Sequence, residues 1–160
     1  MLKLINIINT TIQYICIFLM AILFSLLVVG VIARYIFSSP IVWQYELSQV
    51  LFVWLMFLGS SVAFYNFDHI TIDAFVDILP RMARNITIFL VRLGILFISI
   101  LLIVEGFKLV EAFSSKYFRT IPLSISWLYT ASPISFILVL FYDIVGLLWK
   151  RGRLKLNDKQ

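Results

Sequence analysis

The chain has 160 residues, of which 62% are hydrophobic and 13% are charged, and its formal net charge is +5. Ordinary soluble domains carry roughly 25% charged residues, so this composition excludes a water-soluble fold. The positive charge does not indicate nucleic-acid binding, because the basic residues lie at the edges of long apolar segments. A single cysteine, Cys16, excludes an internal disulfide, and a single histidine, His69, excludes a bis-histidine haem site within one copy.

Four apolar segments follow one another along the chain, each long enough to cross a bilayer, which takes roughly 20 helical residues. Backbone groups in lipid must be paired within the chain, so the spans should be helices. A β-barrel is excluded because the apolar runs are continuous rather than alternating. We predict a single all-α membrane domain over residues 1–160, with four transmembrane helices at about 6–35, 40–67, 81–113 and 122–149.

The second predicted span carries one acidic residue and a pair of small residues. Glu46 lies about two helical turns beyond Pro40, and Arg34 and Lys108 are candidate partners for its charge. Gly59 and Ala63 lie four residues apart, a spacing that lets two helices approach closely. We expect these small residues to pack within the subunit, and contact with another subunit is the alternative.

The connection between the second and third spans predicts a short amphipathic helix at about residues 70–79. Its apolar residues repeat at helical spacing, while acidic and hydroxyl residues occupy the other faces. We expect this helix to lie in the plane of the membrane interface. An ordinary connecting loop is the alternative.

The third and fourth predicted spans each carry one charge inside the membrane. Charges within a span are costly and usually face protein or water. Arg92 and Asp143 lie at similar depth on antiparallel helices, so we predict that they form an ion pair. The alternative is that Arg92 extends to the lipid head groups while Asp143 is hydrated. Pro133, inside the fourth span, predicts a kink.

The distribution of basic residues predicts that both termini are cytoplasmic, because Lys and Arg are enriched on that side. In this orientation eight basic residues face the cytoplasm: Lys3, Arg81, Arg84, Lys150, Arg151, Arg153, Lys155 and Lys159. Three face outward: Arg34, Lys116 and Arg119.

No group of residues indicates an enzyme. The chain has no nucleophile elbow, no phosphate-binding glycine loop, no zinc-protease motif and no paired catalytic carboxylates. It also lacks Gly- or Pro-interrupted helices in matched halves, the usual sequence sign of a transporter's own substrate site. We therefore expect no catalytic, metal-binding or substrate-binding residues in this chain.

Residues 34–80 carry an ordered series of aromatic, acidic and histidine positions: Arg34-Tyr35-x-Phe37, Pro40, Trp43, Glu46-Leu47, Phe52, Trp54, Phe57, Gly59 and His69-Ile70-x-Ile72-Asp73. This series resembles the signature of the small, DctQ-like membrane subunit (Q subunit) of TRAP transporters, the tripartite ATP-independent periplasmic transporters. The length, the four spans and the inward termini extend the resemblance over the whole chain.

The resemblance implies a role in a sodium-coupled, binding-protein-dependent secondary transporter of the bacterial inner membrane. Such transporters import organic acids such as C4-dicarboxylates, sialic acid or other sugar acids. The expected partners are a large multi-span subunit (M-type), which moves as an elevator and carries the substrate and sodium sites, and a periplasmic substrate-binding protein (P-type). Membrane lipids surround the complex. The chain itself would be a static scaffold without a cofactor of its own.

The resemblance also implies which residues meet the partners. The expected interface with the large subunit combines motif residues and the small pair: Arg34, Tyr35, Phe37, Trp43, Glu46, Trp54, Phe57, Gly59, Ala63, His69 and Asp73. The expected contacts with the binding protein are Lys116, Tyr117 and Arg119. The alternatives are packing within the subunit or a membrane-belt position for the motif residues, and a solvated loop for the basic residues.

Three other functions stay open on the sequence. An autonomous, homodimeric, proton-coupled exporter would use a membrane carboxylate, for which Glu46 is the candidate. A haem- or quinone-binding anchor of a redox complex would need further membrane histidines. A purely structural membrane protein would have no transport partner.

Overall fold

A computed structural model describes residues 2–67 and 81–157 of the chain. The helices are α1 Leu2–Tyr35, α2 Val42–Phe67, α3 Arg81–Ala112, α4 Ser126–Tyr129 and α5 Ala131–Asn157. Four stretches are long and apolar enough to cross a membrane: Ile5–Tyr35, Val42–Asn66, Ile86–Ala112 and Ser126–Gly146. The prediction of an all-helical protein with four candidate spans is therefore confirmed. The predicted helix at residues 70–79 lies outside the described residues, as do His69 and Asp73.

The four long helices form an open row in the order α1, α2, α5, α3. Helix α2 packs against α1 on one side and α5 on the other, and α3 packs against α5 and the short α4. Within the described ranges, α1 and α3 have no substantial contact with each other, so the row does not close into a bundle. Neighbouring helices in chain order run antiparallel. One end of the row therefore holds both chain termini (the terminal end), and the other holds residues 36–41 and 113–125 (the loop end).

The α1–α2 contact depends on a glycine. The buried positions on α1 are Ile5, Asn9, Ile12, Leu23 and Gly30. Their separations of four, three, eleven and seven residues place them on one side of the helix, as expected for a single helix–helix seam. The side-chain amide of Gln44 lies directly over Gly30, where an added Cβ would come within 2.0 Å of it. From this position Gln44 Nε2 donates a hydrogen bond of 2.9 Å to the carbonyl of Leu26. Gly30 thus makes room for a polar contact between the two helices.

Small residues let α5 approach both of its neighbours. Ala131 and Ser135 are fully buried one turn apart, and the Ser135 hydroxyl donates to the carbonyl of Phe57 on α2. On the other side, a Cβ added to Gly106 of α3 would lie 2.9 Å from Pro133 Cδ. Close backbone approach over small residues is the usual means of helix packing in membranes. These residues, and not Gly59, supply the close contacts of α5 within the subunit.

The fourth span begins at Ser126 rather than at Pro122, and the second at Val42 rather than at Pro40. Pro122 lies in a loop that contains an antiparallel bridge between Tyr117 and Ser124. Helices α4 and α5 are separated at Thr130. In a continuous helix the backbone N–H of residue 133 would donate to the carbonyl of Tyr129, but Pro133 has no N–H. Pro133 itself lies in the first turn of α5, where its missing N–H costs little. We predicted a kink inside the fourth span at this proline, and the structure instead shows a one-residue interruption of the helix at Thr130, before α5.

Candidate functional site

The loop end is organised by Glu46, in the first turns of α2. Its carboxylate accepts hydrogen bonds from three consecutive backbone N–H groups, those of Arg119, Thr120 and Ile121, at 3.0, 2.9 and 3.2 Å. The Thr120 hydroxyl donates to the same carboxylate. Hydrogen bonds to an ionised acceptor are roughly twice as strong as neutral ones. This arrangement, the Glu46 contact, fastens a loop between α3 and α4 to the start of α2.

The partners of Glu46 differ from the side chains expected from the sequence. Glu46 is bound by backbone groups, and the expected cations are engaged elsewhere. Lys108 Nζ forms an ion pair with Glu105 at 2.8 Å, and the Arg34 guanidinium lies 5.8 Å from the centre of the Tyr35 ring. Backbone N–H groups occur at almost every residue, so the amino-acid sequence does not reveal which of them bind Glu46. For this reason residues 119–121 were not predicted as its partners.

The loop of residues 113–125 (the α3–α4 loop) is also ordered by its own hydrogen bonds. The backbone N–H of Ile125 donates to Lys116 O at 2.8 Å, and that of Phe118 donates to Leu123 O at 3.0 Å. The Ser124 hydroxyl lies within 3.2 Å of three carbonyl oxygens, those of Phe113, Ser114 and Lys116. A loop packed and bonded in this way holds its exposed side chains in fixed positions.

The α3–α4 loop presents the three residues predicted to contact a binding protein. Lys116, Tyr117 and Arg119 are all exposed, Tyr117 by 64%. Lys116 Nζ lies 4.5 Å from the centre of the Phe113 ring, a cation–π contact that leaves its remaining donors free for other partners. The structure therefore places these three exposed residues on one ordered loop. Their contact with another protein stays a prediction.

The aromatic motif residues divide into two groups. Trp54 and Phe57 pack inside the subunit: Trp54 Nε1 donates to Trp127 O at 2.9 Å, and the Phe57 ring meets Phe136 edge-on with centroids 6.3 Å apart. The others are exposed at the loop end: Tyr35, Phe37 and Trp43. The structure gives internal contacts for the first group and leaves the second group available at the surface.

Replacing Trp54 with phenylalanine should destabilise the subunit by about 1 kcal/mol, the net value of one hydrogen bond. The ring volume is largely kept, but the bond that ties α2 to the carbonyl of Trp127 is lost. The thermal unfolding midpoint of the purified chain in detergent measures this effect. Trp43→Phe is the matched control, since Trp43 is exposed. Equal midpoints for the two variants would show that the Trp54 bond contributes nothing.

Gly59 is half-buried on α2, and nothing in the described part of the subunit packs over it. No atom lies within 4 Å of a Cβ built at Gly59, so the expected packing within the subunit is not found there among the described residues. Ala63 is half-buried. The exposed residues recur at helical spacing around this point, and with Gly59 they define the open face of α2: Tyr45, Gln49, Phe52, Met56 and Ser60. The alternative for Gly59, contact with another subunit, stays open.

The terminal end brings together polar side chains from different helices, and those of α5 are buried. Asp143 of α5 is only 4% exposed, as is its neighbour Tyr142. The Tyr142 ring lies 5.0 Å from that of Tyr65, and the Tyr65 hydroxyl donates to Asn6 Oδ1. Arg92 is half-buried on α3, and its pairing with Asp143 stays a prediction. The sequence reasoning missed the contact between Asn6 and Tyr65, and Asn6 lies beside the buried seam of α1 rather than within it.

The described residues contain no group of three or more His, Cys, Asp or Glu side chains that could hold a metal ion. The arrangement presents an ordered loop with basic and aromatic side chains at one end and an open helix face between the ends, and both features suit recognition of a partner.

Comparisons with known proteins identify relatives over most of the chain. The family described as "Tripartite ATP-independent periplasmic transporters, DctQ component" matches residues 23–151. A putative TRAP transporter small permease protein of Haemophilus influenzae (strain ATCC 51907 / DSM 11121 / KW20 / Rd) is 35% identical over 106 residues, which are 66% of this chain and 65% of that protein. The sialic acid TRAP transporter small permease protein SiaQ of Vibrio cholerae serotype O1 is 28% identical over 141 residues, 87% of this chain and 80% of SiaQ.

A third relative is much longer than this chain. The sialic acid TRAP transporter permease protein SiaT of Haemophilus influenzae (strain 86-028NP) is 31% identical over 120 residues. These residues are 74% of this chain but only 19% of SiaT. The chain thus spans about a fifth of SiaT and just under two thirds of the putative small permease protein.

Proposed function

Because this chain belongs to the DctQ component family of the tripartite ATP-independent periplasmic (TRAP) transporters, we propose that it is the small permease subunit of a sodium-coupled importer of organic acids. The observation that carries the proposal is the family match over residues 23–151, which includes the last part of the first candidate span and the whole of the other three. In this proposal the chain lies in the bacterial inner membrane with both termini in the cytoplasm. The loop end then faces outward, which agrees with the excess of basic residues at the terminal end.

The proposed partners are a large multi-span permease subunit and a periplasmic substrate-binding protein. The open row of helices supports a role beside a larger protein, because the subunit itself covers little of its spans. In the most apolar part of each candidate span, at most 33% of the residues are buried within the described chain. In SiaT the matching stretch is joined to a much longer remainder. The sodium site and the substrate site would belong to the large subunit, and this chain would be its static scaffold.

The Glu46 contact speaks against the alternative of an autonomous proton-coupled exporter. A proton-carrying carboxylate must exchange its proton during each cycle. Both oxygens of Glu46 are instead occupied by the α3–α4 loop: Oε1 by Arg119 and Oε2 by Thr120 and Ile121. Protonation would weaken the bonds that hold this loop. Glu46 therefore fits a structural role at the loop end better than a transport role.

The solute class rests on the relatives. SiaT and SiaQ are named for sialic acid, which makes sialic acid the first solute to test, with C4-dicarboxylates next. Deletion of the gene for this chain should abolish uptake of one of these labelled acids, and a plasmid copy should restore it. Proteoliposomes that contain only this chain should neither take up the acid nor dissipate a proton gradient. Proton flux through the chain alone would contradict the proposal and favour the exporter.

We expect the open face of α2 to meet the large subunit. Gln49 exposes its side-chain amide there within a span, where lipid offers it no hydrogen-bond partner and a neighbouring helix does. Replacing Gly59 with leucine should reduce the amount of large subunit that copurifies roughly tenfold, which corresponds to about 1.4 kcal/mol. The stability of the isolated chain should stay unchanged, because the added side chain enters open space.

Gly94→Leu is the matched control for this variant. Gly94 of α3 also has no neighbour within 4 Å of an added Cβ, so the same substitution there changes a different exposed surface. Recovery of the large subunit at wild-type level with Gly59→Leu, or an equal loss with both variants, would contradict the assignment of the interface to α2.

A further inference from the structure

We propose that Glu46 is a positioning residue that holds the α3–α4 loop as a preformed docking surface for an acidic region of the periplasmic binding protein. This inference rests on the proposed function, since it supposes that such a protein delivers the solute. The docking residues are Lys116, Tyr117 and Arg119, and Glu46 acts on them only through the loop backbone.

The Glu46 contact joins two parts of the chain that are far apart in sequence. Glu46 is 73 residues before Arg119 in the chain, yet it accepts three backbone N–H groups in a row and the Thr120 hydroxyl. A carboxylate that accepts several donors at once fixes the backbone between them in one conformation. The residues it fixes include Arg119 itself and lie next to Tyr117 and Lys116. The carboxylate thus positions the loop backbone from which the exposed side chains extend.

The α3–α4 loop is also held in one conformation by contacts among its own residues. The Tyr117–Ser124 bridge and the Ser124 hydroxyl close the loop on itself, and the Phe113 ring packs on Tyr129 with centroids 4.8 Å apart. These contacts fold the loop, but they do not attach it to α2. Attachment to α2 comes from Glu46. A loop ordered before binding loses less conformational entropy on association, so its affinity for a partner is higher.

The charged side chains of the α3–α4 loop itself are both basic. The negative charge of Glu46 is directed at backbone N–H groups, and the ion pair described at this end joins Lys108 to Glu105. The exposed Glu111 precedes the loop at the end of α3, and the charged side chains within the loop are the exposed Lys116 and Arg119, beside the exposed Tyr117. Basic and aromatic side chains together are typical of protein interfaces, and positive charge selects a negative partner surface. A periplasmic protein with an acidic region is the partner that fits.

The test uses the whole complex in cells. A photo-cross-linking amino acid, p-benzoylphenylalanine, replaces Tyr117, and a control chain carries it at Phe97, which is exposed in the middle of α3. After irradiation the tagged chain is purified, and both its covalent adducts and the copurified subunits are identified by mass spectrometry. We expect position 117 to capture a periplasmic solute-binding protein and position 97 not to capture it.

Glu46→Gln in the position-117 chain tests the positioning role. The glutamine keeps the shape but directs an N–H group at backbone donors, so the loop should detach from α2. We expect the binding-protein adduct to fall about tenfold, which corresponds to about 1.4 kcal/mol, while recovery of the large permease stays unchanged. A purely structural defect would lower both. Lys116→Glu with Arg119→Glu should lower the adduct similarly by reversing the charge.

The outcomes separate the two proposals. An unchanged adduct in Glu46→Gln, or adducts at position 117 only with lipid or with the large permease, overturns the docking surface. If Glu46→Gln fails to accumulate, Thr120→Val decides by the same criterion, with Thr120→Ser as the conservative variant expected to keep the adduct. Copurification of a large permease without any binding-protein adduct overturns this inference alone, whereas recovery of neither partner with the wild-type chain also contradicts the proposed function.

Discussion

Replacing Gly106 with leucine should separate α3 from the rest of the subunit. A Cβ at this position would lie 2.9 Å from Pro133 Cδ and 3.4 Å from Pro133 N. The proline ring cannot rotate away, and the backbone of α5 is held on its other side by the Ser135–Phe57 bond. Overpacking of this kind costs about 1–3 kcal/mol. Because α3 has substantial contacts only with α5 and α4 in the described chain, it cannot be held by other long helices.

Thermal unfolding of the purified chain in detergent measures this effect, and Gly94→Leu is the control on the same helix. Gly94 has open space around it, so leucine there should leave the unfolding midpoint unchanged. Similar midpoints for the two leucine variants would show that α3 does not pack on Pro133 as described, and would contradict the order of helices in the row.

The second large effect is expected between the other outer pair of helices, α1 and α2, where Gly30 meets Gln44. Gly30→Ala places a methyl group on the Gln44 amide, which must then leave Leu26 and lose its hydrogen bond. Removing the amide in Gln44→Ala takes away the obstacle. In that background Gly30→Ala should stabilise α1, because alanine exceeds glycine in helix propensity by up to about 1 kcal/mol. The same substitution should therefore change sign with its background.

A double-mutant cycle of thermal stabilities measures this coupling, which we expect to be about 1–2 kcal/mol, within the range for residues in direct contact. Ala21→Leu, on the exposed side of α1, should have no coupling to Gln44→Ala. Additive effects of Gly30→Ala and Gln44→Ala would contradict the seam between α1 and α2.

The four spans could be predicted from sequence because a continuous apolar run has few alternatives in a chain with so few charges. The order of the helices could not be predicted in the same way. Spans such as α1 are apolar on nearly every side, so the side that packs on α2 carries only a weak pattern, with Asn9 and Gly30 as its clearest signs. Lipid and protein are equally apolar neighbours for a leucine, and hydrophobicity therefore does not select a partner helix.

The sequence also pointed to Glu46, because a lone acidic residue near a membrane span needs a partner. The partner could not be found from sequence, since backbone N–H groups are present at every residue except proline. Trp54 shows the same difficulty: its indole donates to the carbonyl of Trp127, and carbonyls are equally uninformative. The exposure of Lys116, Tyr117 and Arg119 could be predicted because charges in a connecting loop are visible in the sequence, whereas their contact with a binding protein stays a prediction.

The scaffold account is tested most directly by purifying the tagged chain from its native membranes in mild detergent and identifying its partners by mass spectrometry. The account predicts a large multi-span permease subunit in about equimolar amount, as expected for a complex of one small and one large subunit. Recovery of the chain only with copies of itself would contradict the account and favour an autonomous homodimeric exporter.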